Sequence, residues 1–305
     1  MSLLVVGTVA FDAIETPFGK TDKIVGGAAT YIGLSASKLS DKINLVSVVG
    51  DDFPSEAIDM LKNHKVDTAG LQIKEGEKTF FWSGRYHNNM NSRDTIDTQL
   101  NVLETFDPVV PEQYKDCQIL MLGNLMPIIQ QQVFNQLTKK PELTVLDTMN
   151  FWMDNCMDDL MEALKHVDVL TINDEEARQL SGEYSLVVAA KKIMSFGPKT
   201  LIIKKGEHGA LLFNGDKKFF APAMPLEKVF DPTGAGDTFA GGFVGFLHKT
   251  QDFSFENMKR AVVYGSAMAS FCVEEFGTER IANLSMSEVE ERLKEFVDLS
   301  HFDLA

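Results

Sequence analysis

The chain has 305 residues, 44% of them hydrophobic and 24% charged, with a formal net charge of −15. That length can bury a large core, and that charge argues against a nucleic-acid surface, which needs basic stripes to neutralise phosphates. Three widely spaced cysteines, Cys117, Cys156 and Cys272, argue against a disulfide framework or a zinc site, no stretch has the apolar length of a membrane span, and the N-terminus lacks the basic region of a signal peptide, so a cytoplasmic protein is expected.

Residues 3–9 form a continuous apolar run, the mark of a strand covered on both faces. This strand is expected to deliver Asp12 at or just past its C-terminal end, where open α/β sheets usually bind ligands. As a plain alternative, Asp12 is a turn aspartate. Gly19-Lys20-Thr21 imitates the end of a phosphate-binding P-loop, but its surroundings read as a hairpin. Gly26-Gly27 then opens a helix of small residues, including Tyr31, that runs to about residue 39; the pair admits a ligand close to the backbone or makes a tight turn. A strand over 44–49 and a helix over 55–63 follow. Residues 72–105 change character: the β-prone aromatic run Phe80-Phe81-Trp82, then the polar turn around Asn88 and Asn89, then alternating Thr95 to Thr98. A strand–loop–strand insertion in a βα chain predicts a sheet standing off the main one. Arg85, Asn88, Asn89 and Arg93 are its candidate ligand contacts, and each is equally well a solvated loop residue.

From residue 118 the βα alternation is regular. Strands are expected over 119–122, 144–147, 167–172 and 200–204, with Asn124 and Asp147 following strands at the edge where a site should lie. Asn173 with Glu176 three positions on is a capping box. Lys204 ends the last long strand and is followed by Gly206, Gly209 and a hairpin with an Asn-Gly-Asp turn. The most informative stretch is 231–243, Asp-Pro-Thr-Gly-Ala-Gly-Asp-Thr-Phe-Ala-Gly-Gly-Phe. It reads as a strand end at Val229-Phe230, a turn that Pro232, Gly234 and Gly236 permit, and a helix whose apolar face is Phe239, Phe243, Phe246 and Leu247. The backbone from Gly234 to Asp237 is then a helix N-terminus with unpaired amides, an anion site. Asp237 in that position either complements the helix dipole or accepts a proton from a hydroxyl attacking a bound phosphate. Helices over 258–274 and 288–297 close the chain.

The 231–243 stretch resembles the C-terminal signature of the PfkB/ribokinase family of sugar and nucleoside kinases. Gly26-Gly27, the insertion at 72–105 and Asn173-x-x-Glu176 match further family features in family order. The resemblance implies a ribokinase-like α/β fold: a doubly wound, mostly parallel sheet flanked by helices, in one domain over 1–305, with a small β-sheet lid from insertions at about 12–24 and 72–105. It implies that Asp237 deprotonates the acceptor hydroxyl while Gly234, Ala235 and Gly236 stabilise the transferring phosphoryl group. Asp12, Gly26, Gly27, Tyr31, Arg85 and Asn124 would bind the acceptor. Tyr31 departs from the asparagine that members often carry there, and Ala10 from another. Asn173, Lys204, Gly206, Gly209 and Thr233 would border ATP, and Glu176 would organise Mg2+, with a monovalent cation such as K+ left open.

The expected activity is transfer of the γ-phosphoryl of ATP to a hydroxyl of a monosaccharide, the commonest family substrate. The alternative acceptor is a nucleoside, whose base Tyr31, Trp82 and Tyr86 could stack on. A phosphosugar, for which Arg85 and Arg93 leave room, and a non-catalytic ligand sensor are further readings. The sequence leaves the oligomeric state open between a monomer and a homodimer through the lid.

Overall fold

The computed structural model describes residues 2–301 and 303. Its strands, in chain order, are β1 (Leu3–Val6), β2 (Ala10–Thr16), β3 (Gly19–Lys20), β4 (Ile24–Gly26), β5 (Ile43–Gly50), β6 (Val66–Lys74), β7 (Phe81–Tyr86), β8 (Arg93–Gln99), β9 (Ile119–Leu122), β10 (Leu143–Asp147), β11 (Val169–Asn173), β12 (Thr200–Lys204), β13 (Ala210–Asn214) and β14 (Lys217–Ala221). Nine of them build one sheet in the order β14-β13-β12-β11-β10-β9-β1-β5-β6. From β6 to β12 every pairing is parallel, and the hairpin β13–β14 adds antiparallel strands at one edge. All side chains of β1, β5, β9 and β10 are buried, because helices cover both faces of a parallel sheet and leave no polar side. Among the described residues no helix is long and apolar enough to cross a membrane.

Sequence order runs outward from β1 in one direction through β5 and β6, and from β9 in the other. That reversal opens a crevice outside the C-terminal ends of the central strands, the usual ligand position in such sheets. Over it stands a second sheet, ordered β3-β2-β7-β8 with β4 paired to β2.

One face of the large sheet is covered by the helices Ala28–Ser37, Ala235–Thr250 and Phe255–Cys272. They approach closely because glycines stand at the crossings. A β-carbon on Gly241 would lie 2.5 Å from the Ile32 carbonyl oxygen, and one on Gly245 would lie 2.9 Å from Ala36 Cα. Across the same contact Ser35 donates its hydroxyl to the Thr238 carbonyl at 2.7 Å.

Three expectations change. β1 stops at Val6, and Asp12 lies inside β2 of the small sheet rather than at the end of the first strand. Residues 72–74 belong to β6 of the large sheet, so the second contribution to the small sheet starts at Phe81. Val229-Phe230 is no strand: the Phe230 N–H donates to the Val273 carbonyl at 2.8 Å, and its ring packs 5.4 Å from that of Phe18 in the β2–β3 hairpin.

Candidate active site

The helix Ala235–Thr250 begins at Gly234, whose φ of 75° only glycine tolerates easily. A side chain there would also strike the ring of Tyr31, which lies 2.5 to 2.6 Å from the β-carbon position. Asp231 holds the turn from below, accepting the Thr233 N–H at 2.8 Å and the Gly277 N–H at 3.2 Å. The Ala235 N–H is given to the Pro232 carbonyl at 3.2 Å. The N–H groups of Gly234 and Gly236 have no acceptor among the described residues, and they form an anion site at the positive end of the helix dipole.

Asp237 is the third residue of that helix and partly exposed. Burial first, then the neighbouring Asp147, push its carboxyl up to about 7, against the pull of Lys204 and Arg93. Lys204 ends β12 and places its ammonium 3.1 and 3.3 Å from the two carboxylate oxygens of Asp147, at the end of β10. The same nitrogen lies 3.0 Å from where a β-carbon on Gly236 would stand, so the cation sits directly beneath the anion site. Burial draws the Lys204 ammonium down, but Asp147, Glu176 and Asp237 outweigh it and the net shift is upward. Glu176 caps its own helix: it accepts the Asn173 N–H at 2.8 Å while the Asn173 side chain accepts the Glu176 N–H at 2.8 Å. Burial raises Glu176 to about 7, and its second carboxylate oxygen makes no hydrogen bond among the described residues.

The small sheet forms the opposite wall. Asp12 is buried against Gly26, where a β-carbon would stand 1.9 Å from its Oδ2, and it takes a hydrogen bond from the Gly27 backbone. Burial, then the charge of Asp231, raise its carboxyl to about 7. Strand alternation puts Asp12, Trp82, Gly84 and Tyr86 on one face. The indole of Trp82 lies flat over Gly84, with the Arg93 guanidinium 5.6 Å from its ring. Tyr86 accepts a hydrogen bond from Thr233 Oγ1 at 3.2 Å, which fixes this face as the one turned to the anion site.

An anion site with a cation beneath it, a carboxylate poised to take a proton, and a second carboxylate across a cleft together suit phosphoryl transfer to a hydroxyl. A model of the pfkB family carbohydrate kinases matches residues 2–283. The chain belongs to the PfkB family. It is 31% identical over 250 residues to the cytidine kinase of Thermococcus kodakarensis, covering 80% of this chain and 87% of that one. The crystal structure of the Methanocaldococcus jannaschii nucleoside kinase superposes with a TM-score of 0.77 at 24% identity, covering 97% and 99% of the two chains. The aminoimidazole riboside kinase of Salmonella enterica, complexed with aminoimidazole riboside and an ATP analogue, gives a TM-score of 0.77 at 19% identity, covering 96% and 100%. The ribokinase-like fold is therefore common to this PfkB chain and these kinases.

In this PfkB kinase Asp12, Gly26, Gly27, Gly234, Gly236 and Asp237 surround one cleft, with Asn173, Glu176, Lys204 and Thr233 along the side away from the small sheet's Asp12. Ala235 contributes no free amide, its N–H being already bonded. Arg85 is on the wrong face: it lies opposite in parity to Trp82 and Tyr86, and it pairs with Glu15 at 2.8 Å on the outside of the sheet. Arg93, on the next strand, is the arginine that faces inward. Tyr31 is only 1% exposed and works as the floor under Gly234, not as a stacking surface. Asn124 accepts the Trp152 indole N–H at 2.8 Å and gives its amide N–H to Met149 Sδ, so both ends of its side chain are engaged. Gly206 has φ 54° in the turn beside the cleft, whereas Gly209 faces the Ala221 carbonyl and serves the edge hairpin. Sequence reasoning passed over Asp231 as an anchor and the Asp147–Lys204 pair as a unit. The pair was signalled only by two strand ends falling at one sheet edge, and Asp231 only by its place ahead of Pro232 in the 231–243 stretch.

Proposed function

We propose that this chain is an ATP-dependent nucleoside kinase. The observation that carries it is Asp237 standing at the anion site of Gly234 and Gly236, with Asp12 across the cleft and the Trp82 indole lying on the same wall as Asp12. Asp237 takes the proton of the acceptor hydroxyl as its oxygen bonds to the γ-phosphorus. The bond to the bridging oxygen breaks, and ADP leaves. The two free amides and the Lys204 ammonium are placed for the charge on the transferring group, an arrangement worth about 3–4 kcal/mol per donor in preorganised oxyanion sites. Asn173, Gly206 and Thr233 would border the nucleotide. Glu176, with one oxygen left unbonded, fits the oxygen-donor chemistry of Mg2+ and would hold it with the phosphates and water, where the ion supplies neutralisation of phosphate charge.

Two things favour a nucleoside over a monosaccharide. An indole held flat by a glycine beneath it is a stacking surface for a base, and a bare sugar has no matching face. Relatives named as a cytidine kinase and as nucleoside kinases align over most of the chain. An ADP-release assay over a panel of ribonucleosides and monosaccharides tests the proposal. Turnover of one or more nucleosides, with sugars at background, is expected. Turnover of sugars alone would overturn the nucleoside reading, and no turnover at all with ATP still bound would overturn the enzymatic one. Asp237→Asn should lower transfer by about a hundredfold or more with ATP binding retained.

A further inference from the structure

The small sheet touches the nucleotide side of the cleft at two points that the chemistry above leaves unused. Tyr86 is the last residue of β7 and is buried at 6% exposure, and its phenol oxygen is the hydrogen-bond acceptor of Thr233 Oγ1 at 3.2 Å. Thr233 immediately precedes Gly234, and its backbone N–H is held by Asp231. The turn that carries the free amides is thus fixed from its own loop by Asp231, which also holds the Gly277 N–H, and from the small sheet by Tyr86. Beyond β7, Asn91 donates its side-chain amide to Glu207 at 3.3 Å, so the loop between β7 and β8 rests on the turn Gly206–His208.

Acceptor contacts and the tyrosine ride on one rigid body. β2 and β7 pair in parallel from Phe11 opposite Phe81 to Glu15 opposite Arg85, so whatever seats Asp12 and Trp82 also sets Tyr86. We propose that Tyr86 is a positioning residue for phosphoryl transfer: through Thr233 it sets the amides of Gly234 and Gly236, and it does so only while the small sheet is closed over the acceptor. Glycine-containing turns keep much backbone freedom unless a side chain restrains them, and Tyr86 adds to Thr233 a restraint from the small sheet beside the one that Asp231 supplies through the Thr233 N–H and hydroxyl. When the sheet lifts, the turn keeps Asp231 but loses its second restraint, and the anion site loosens. The device limits wasteful transfer to water, because the site is complete only when a hydroxyl acceptor has closed the sheet. This inference rests on the kinase reading of the same cleft.

The test uses the full chain as wild type, Tyr86→Phe, Thr233→Val and the double variant. Amide hydrogen exchange is expected to speed up across residues 233–237 in Tyr86→Phe while β1 and β9 stay protected. The kcat for the acceptor should fall about fivefold, the loss of one neutral hydrogen bond, with the KM for ATP within about twofold of wild type. The double variant should lose no more than the worse single one, as for two residues acting through one contact. Unchanged exchange at 233–237, or losses that multiply in the double variant, would overturn the proposal. A wild type that phosphorylates no acceptor would instead refute the kinase reading, and the exchange comparison would still decide whether Tyr86 restrains the turn.

Discussion

Lys204 and Asp147 end two strands separated by one other, and their side chains form a largely buried ion pair, 3.1 Å at its closest, beneath the first turn of the helix that carries Asp237. Taking two charges out of water is costly, and removing one partner leaves the other uncompensated. Lys204→Met should therefore destabilise the protein by about 3–5 kcal/mol in urea unfolding. Adding Asp147→Asn should recover most of that stability without restoring transfer, because the cation under the anion site is still missing. A double variant as unstable as the single one would show that the pair is not what Lys204 contributes to folding.

The raised carboxyl of Asp237 fixes the direction of the pH response. A base must be deprotonated to work, so kcat/KM should climb about tenfold per pH unit on the acid side, level off above about 7, and lose that limb in Asp237→Asn. Stability runs the opposite way. The folded state binds this proton more tightly than the unfolded chain, whose aspartate stays near 3.8, so the contribution of Asp237 to stability declines as pH rises from about 4 to about 7. Asp12 and Glu176, also raised to about 7, add declines of the same sign. Asp237→Asn should hence melt a few degrees above wild type near pH 8 and show no such gain near pH 4, in thermal scans at both.

On the proposed acceptor side Gly26 matters by what it lacks. The 1.9 Å gap between its β-carbon position and Asp12 Oδ2 forces the carboxylate to swing away in Gly26→Ala. The acceptor KM should rise by about tenfold or more while the ATP KM stays unchanged, since the nucleotide side is untouched. Equal rises in both constants would mean that the substitution disturbs the whole cleft.

The two arginines of the small sheet make a direct contrast. Arg85 is on the outer face in an exposed pair with Glu15, so Arg85→Ala should cost no more than about 1 kcal/mol and leave turnover intact. Arg93 has its guanidinium 5.6 Å from the Trp82 ring and is close enough to Asp237 and Glu176 to pull both carboxyls down against the burial that raises them. Arg93→Ala should reduce kcat/KM about tenfold or more through lost charge at the transferring group. Steady-state kinetics on the two variants side by side would reveal an inverted order if the parity assignment were wrong.

Read along the chain, local chemistry settles a great deal. The strands Ile119–Leu122 and Thr200–Lys204 and the helix Ser55–Asn63 fall where apolar period and turn residues put them, and the Asn173–Glu176 capping box is written within four residues. The glycines and aspartate of 234–237 also announce themselves, because a helix N-terminus is a local object.

What the sequence could not decide is which residues from distant segments share a surface. Two arginines eight positions apart look alike in a polar insertion, yet strand parity and the shift in register between Ser83 and Gly84 send one outward and the other to the cleft. Tyr31 reads as an aromatic open to a ligand until the helix Ala235–Thr250 packs Gly234 onto its ring. Asp147 and Lys204 become one unit only when the sheet order brings β10 and β12 to the same edge. Period, capping and turn preference act over a few residues, so the chain alone sets its elements and its anion turn. Charge pairing, burial and stacking depend on distance in space, so only the folded sheet order decides which side chains meet there.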